Sequence, residues 1–240
     1  MCKNLWRMAD SGKKQIQGRL EILEKIYALH DDIAEKMDVA CRAGCDLCCT
    51  RNVAISSLEA CLLVEYLEKT GRNPLFKRLE AAKALERFHP RTTTNALVRL
   101  YKTGRTPPEE KIDPAWYPCP LLSDSRCLVY EARPFGCRGM VSKTTCRKNG
   151  CADMDDYVLS INTVFMQFIE HADGAGSTGN FLDMLLFMSA ADRRRVYKNS
   201  GRTGTCEQFV ANRPIEMIML PPEYQARALP ILNRLRSFFR

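Results

Sequence analysis

Apolar residues recur at three- and four-residue steps over 14–40 (Ile16, Leu20, Leu23, Ile26, Tyr27, Ile33, Met37), with charges between them, and this predicts an amphipathic helix. "SSLEACLLVEYLEKTG" predicts a second helix, opened by a capping box of Ser56 and Glu59 and closed at Gly71. "NPLFKRLEAAKALERFHP", residues 73–90, predicts a third, with Asn73 as N-cap, Pro74 in the first turn and Pro90 limiting its end. A further helix is expected over 92–103. From 104 to 153 the periodicity breaks. "TGRTPPEEKIDPAWYPCP" is turn-rich, and "CLVY" is the only strand-like piece. Helices resume after 154: Val158, Ile161, Phe165, Phe168 and Ile169 share one face, and Phe181 to Met188 is almost wholly apolar, so its helix should be buried. "PPEYQARALPILNRLRSFF" gives a last helix that Pro230 kinks or divides. The expected fold is mainly α with little or no sheet, a single domain over 1–240. Helices would surround an irregular cysteine-rich region at 41–151, with a helical extension over 154–240.

Composition supports an ordinary core, at 45% hydrophobic and 27% charged residues among 240. The first residues show no apolar h-region or small-residue cleavage site, and no stretch approaches the roughly 18 apolar residues of a membrane span. A soluble, cytoplasmic chain is therefore expected, in a compartment that keeps thiols reduced. The net charge of +8 is uneven: residues 1–50 hold eight Lys/Arg and eight Asp/Glu, whereas 193–240 hold ten Lys/Arg against three acids. Solvated helix faces account for that excess, and an acidic protein partner is the alternative. Nucleic acid is disfavoured, because no aromatic residues interleave the basic ones.

The twelve cysteines change the picture more than the charge does. "CRAGCDLCCT" places Cys41, Cys45, Cys48 and Cys49 in a C-x3-C-x2-C-C pattern. On a helix the four would share one face but spread about 12 Å along the axis, too far for one tetrahedral zinc with Zn–S near about 2.3 Å. The loop must therefore curl, and Gly44 supplies the freedom. Cys45-x2-Cys48 has the compact spacing of zinc knuckles and cluster loops. Successive side chains diverge in a strand and sit about 100° apart on a helix, so adjacent Cys48 and Cys49 are expected to serve different metals or different halves of one site, or one of them to be a supporting or redox thiol. Cys119, Cys127, Cys137, Cys146 and Cys151 follow within 33 residues. Clustered cysteines in a reducing compartment indicate metal binding or redox chemistry rather than disulfides.

"CPLLSDSRCLVYEARPFGCR", residues 119–138, carries a family resemblance. C-x3-C-x2-C-C followed by C-P-hydrophobic and C-x2-Y-E-x-R-P-x2-C-R resembles the YkgJ-type cysteine-cluster proteins, a family described as zinc- or iron-chelating. The match lies at Cys119–Leu122, Cys127, Tyr130-Glu131, Arg133-Pro134 and Cys137-Arg138, and the comparable region runs from about 41 to 150. The resemblance implies one metal centre of eight or so cysteines, built from Cys41, Cys45, Cys48, Cys49, Cys119, Cys127 and Cys137; Cys146 is taken as the eighth, with Cys151 as a rival that nothing local separates from it. All-cysteine ligation suits an iron–sulfur cluster ([4Fe–4S]) or zinc. The first implies redox or sensing chemistry. The second implies a stapled interaction module, or an enzyme with a structural metal.

Arg133 and Arg138 flank the thiols and would offset a negatively charged cluster. Alternatively, Arg133 only pairs with Glu131 in the turn. Tyr130 is expected to pack under the loop. Cys61 reads as a core residue, and Cys2 and Cys206 as incidental. His30, His89 and His171 lie at no zinc-finger spacing from a cysteine pair. No Ser–His–Asp or Cys–His–Asn arrangement is evident, so no catalytic residue is assigned. "GAGSTG", Gly174 to Gly179, fits G-x-G-x-x-G but follows a helix instead of a strand, and so reads as a flexible interhelical loop.

Overall fold

The computed structural model describes residues 3–42, 44–110, 117–204 and 206–240, with side chains from Gln15 onward except at 148 and 149. Cys2 and residues 111–116 of the turn-rich segment lie outside the described residues. In chain order the elements are α1 (Lys3–Ala34), β1 (Ala54–Ser56), α2 (Ser57–Lys69), α3 (Leu75–Ala81), α4 (Thr94–Lys102), β2 (Leu122–Ser123) and β3 (Arg126–Cys127). The single turns α5 (Phe135–Arg138) and α6 (Cys146–Asn149) follow, then α7 (Asp156–Ala172), β4 (Ser177–Asn180), α8 (Phe181–Ser189), α9 (Ala191–Ser200), β5 (Phe209–Ala211) and α10 (Gln225–Ser237). The fold is mainly α with little sheet, as the periodicity predicts.

The core forms where apolar helix faces meet. Leu20, Leu23 and Ile26 of α1, Leu58, Leu63 and Leu67 of α2, Phe165 of α7, Leu182 and Leu185 of α8, Tyr197 of α9 and Leu235 of α10 join one buried cluster. α1 packs on α9 and α7, and α2 on α8. α2 starts where its capping box demands: Ser56 Oγ accepts from Glu59 N, while Ser56 N donates to the Glu59 carboxylate. Pro230 is accommodated inside α10 without dividing it.

Two expectations need correction. The helix over 73–90 ends at Ala81. Beyond it, Arg87 forms a two-pronged ion pair with Asp183 at 2.5 and 2.9 Å, His89 Nε2 lies 3.0 Å from the same carboxylate, and Phe88 N donates to Asn52. These tertiary ties pull 87–89 off the helical path that local propensity favours. The other correction is "GAGSTG". Its last residues form β4, the central, fully buried strand of an antiparallel sheet ordered β1-β4-β5, with Gly179 opposite Ile55 and Phe209. Gly176 is small because space forbids anything larger: a Cβ there would collide with Asp173 Oδ1 and Ser57 Oγ.

Those two atoms belong to a buried polar knot. Asp173 accepts from Ser57 Oγ (2.5 Å), Leu58 N (3.0 Å), Asn212 Nδ2 (3.0 Å) and Tyr197 Oη (2.6 Å). Burial nevertheless outweighs these donors and pushes its carboxyl up from 3.8 to about 7. Between about pH 4 and 7 the unfolded chain has therefore released this proton while the folded one keeps it. Stability should fall as pH rises through that window and level off above it. Asp173→Asn, which cannot titrate, should gain on the wild type by an amount on the order of 4 kcal/mol between pH 4 and pH 8. Urea unfolding at the two pH values measures this, and an unchanged difference between the proteins would refute it.

Candidate metal centre

The two cysteine motifs meet in space. Thr50 and Pro118 form an isolated antiparallel bridge, Cys119 N donates to Cys49 O at 2.8 Å, and Arg51 N donates to Tyr117 O. The first loop curls through Gly44, whose φ of +85° favours glycine. Asp46, between Cys45 and Cys48, fastens that loop: its carboxylate accepts from Ser125 Oγ at 2.6 Å and from Arg147 Nη2 at 2.7 Å. Ser125 lies in the turn of the β2–β3 hairpin, which presents Cys127. Cys137 sits on α5, where Phe135 N donates to Glu59 Oε1 at 2.8 Å and so docks the turn onto α2.

Seven of the eight expected ligands, Cys41, Cys45, Cys48, Cys49, Cys119, Cys127 and Cys137, line one cavity of about 120 Å³ together with Arg133 and Arg138. A single buried water needs about 10–15 Å³ on the same scale, so the thiols surround a sizeable void. Cys146, the eighth, is not on this wall. It faces a larger neighbouring cavity with its rival Cys151, although it is close enough for its charge to act on Cys41. Among the described residues every cysteine is a free thiol, and no three His, Cys, Asp or Glu side chains are grouped tightly enough to hold one metal ion. Cys61 is wholly buried in α2, as expected.

The electrostatics follow from burial. Desolvation pushes Cys119 up to about 11 and raises Cys41, Cys127 and Cys137 as well. Cys48 moves the other way, down to about 7, because the Cys49 thiol donates to its thiolate and Arg133 adds positive charge; Cys49 is raised in return. Arg133 also favours the thiolates of Cys127 and Cys137. Its guanidinium stacks 3.8 Å over the Tyr130 ring, and its buried Nε has no hydrogen-bond partner. Glu131, the alternative partner of Arg133, accepts instead from Tyr66 Oη at 2.8 Å. Tyr130 does not pack beneath the loop but stands 57% exposed.

Arg138 has a different task. It donates to Arg133 O (2.8 Å), Glu131 O (2.7 Å) and Asp31 (2.6 Å) and lies 4.4 Å over Tyr27, so it ties the 131–138 loop to α1. His30 is buried between Phe135 and Phe165, with Nε2 on Asn162 Oδ1. His171 Nδ1 accepts from Ile215 N. Sequence reasoning did not single out Asp46 or Asp31, nor the second task of Glu59. Asp46 carried a signal, since it stands inside the cysteine motif. Asp31 carried none.

The basic C-terminal helices hold many of their cations against their own fold. Arg194 pairs with Glu68 and Lys198 with Glu65, while Arg193 and Arg227 stack on Phe187 and Tyr157. Among the described residues no helix is long and apolar enough to cross a membrane. No family model, no curated protein and no solved structure matches the chain.

Proposed function

We propose that the seven-thiol chamber is the ligand shell of a polythiolate metal centre, an iron–sulfur cluster in preference to zinc, serving redox or sensing chemistry. The observation that carries this reading is the convergence of seven thiols on one void that Arg133 also lines. The YkgJ-type resemblance at the same residues supports it. Four thiolates hold one [4Fe–4S] cluster, which supplies one-electron transfer when bound. Zinc would be held by four thiolates in a closed tetrahedral site, whereas seven thiols and an adjacent Cys48–Cys49 pair exceed one such site, and this surplus is the ground for preferring a polynuclear group.

The chain's own residues suit that task. Cys48, already poised near neutrality, offers the first thiolate. The raised thiols lose their protons only to a metal, so binding should release protons and weaken as pH falls. Arg133 offsets the negative charge of the ligands, and Leu121, Val129 and Phe181 add apolar surface to the chamber wall.

Anaerobic purification followed by iron, zinc and sulfide analysis and a visible spectrum tests the reading. Broad visible absorption with about four irons and four sulfides per chain is the expected result. A colourless protein with stoichiometric zinc would replace the redox role with a structural one. A folded protein that takes up neither metal would end both versions.

A further inference from the structure

A second cavity, of about 860 Å³, adjoins the thiol chamber, and Cys48, Thr50, Val53 and Met140 line both. Small-molecule sites span about 300–1,000 Å³ and are mostly apolar with a few placed polar groups. This wall has that character: Ile55, Phe88, Leu97, Phe135 and Ile169 supply carbon. Leu47, Met140 and Met166, unusually exposed for large apolar residues at 38%, 42% and 37%, also belong to it. Methionines adapt their shape to varied apolar ligands.

Its charge is one-sided. The charged residues among the described lining are Glu59, Glu110 and Glu170, with no Lys, Arg or His, in a chain whose net charge is +8. Each carboxylate is held by neutral donors. Glu59 accepts from Tyr27 Oη, Ser56 N and Phe135 N, Glu170 from Thr94 N and Asn95 N, and Glu110 from Arg91 N. Burial raises the Glu170 carboxyl against the donors that hold it. A concave, low-dielectric wall of one sign concentrates the opposite charge and repels its own.

We propose that this cavity binds a small organic cation, an aliphatic or aromatic body bearing a protonated amine. The body meets the apolar wall and the ammonium meets the carboxylate field. Contact with Cys48 sets this ligand beside the thiol centre, a placement that rests on the reading above, whereas the binding itself does not.

Calorimetric titration of the full chain as purified, with n-hexylammonium, n-hexanol and n-hexanoate, tests this. Metal content is measured on the same batch. Hexylammonium should bind saturably at one site, about tenfold more tightly than hexanol, and hexanoate should not bind. Met166→Trp, at a half-exposed wall position, should weaken amine and alcohol together, and Glu110→Gln should weaken the amine alone, several-fold. Equal binding of hexanoate and hexylammonium, or no saturable binding of any probe at millimolar concentration, would overturn the proposal. Amine binding by metal-free protein would uphold it while removing the metal reading, and metal without amine binding would do the reverse.

Discussion

Cys137→Ser should cost the proposed centre most of its metal. A cysteine ligand replaced by a weaker oxygen donor should cost at least a hundredfold in affinity, which at fixed free metal removes about 2.7 kcal/mol of linked stability. For a chain of 240 residues that lowers Tm by about 5–10 °C. Cys61→Ala is the matched control. Cys61 is more fully buried than Cys137 but lies in α2 with its thiol toward Glu65, away from the chamber. It should cost about 1 kcal/mol and leave the metal in place. Cys146→Ser should also keep the metal, since Cys146 lines the neighbouring cavity. After chelation, wild type and Cys137→Ser should melt together, because the difference between them is the metal. Equal metal in Cys137→Ser and wild type would remove Cys137 from the centre. Loss of metal from Cys61→Ala would mean that the content follows core stability instead of ligation.

The helices were legible because local rules and packing agree on them. The capping box of Ser56 and Glu59, the apolar faces of α1 and α7 and the buried run of α8 each encode their own position. The four-cysteine loop was legible for a related reason, since its spacing demands a curl and Gly44 permits one. The meeting of the two motifs was not written in either of them. It depends on Thr50 pairing with Pro118 and on Asp46 reaching Ser125 and Arg147, contacts of 68, 79 and 101 residues' separation. "GAGSTG" misled because glycine spacing marks a phosphate turn, a flexible loop or a place where neighbours crowd in, and only the packed Asp173 knot distinguishes them. Arg87 misled in the same way: a good helix former left its helix because Asp183 offered a buried partner. Arg133 and Arg138 look equivalent along the chain and both line the void, yet Arg133 stacks on Tyr130 while Arg138 is hydrogen-bonded to its own loop and to Asp31.

Glu59 concentrates the dependence of the thiol site on the fold. Its Oε1 accepts from Tyr27 Oη at 2.7 Å and from Phe135 N at 2.8 Å, and its Oε2 accepts from Ser56 N at 2.9 Å. One buried carboxylate thus joins α1, the start of α2 and the turn that presents Cys137. Glu59→Ala strands three donors at the wall of the larger cavity, and each stranded donor costs about 1–3 kcal/mol, so a loss on the order of 4 kcal/mol is expected. Glu59→Gln keeps Oε1 for Tyr27 and Phe135 but sets an amide N–H₂ against Ser56 N, which should cost about 2 kcal/mol. Tyr27→Phe removes one donor and leaves no orphan, so about 1 kcal/mol is expected. Urea unfolding should therefore rank the variants Tyr27→Phe, Glu59→Gln, Glu59→Ala in order of increasing damage. The metal gives a second readout. A loosened Phe135–Arg138 turn carries Cys137 away from its partners, so Glu59→Ala should bind metal less tightly by about 10–100-fold, the range seen when support behind a ligand is removed. Tyr27→Phe, which leaves the Phe135 contact intact, should bind as the wild type does. If Glu59→Ala unfolds within 1 kcal/mol of wild type, the carboxylate is not the link between helix and thiol loop. If it is destabilised but binds metal normally, Cys137 is positioned by Arg138 and Asp31 alone.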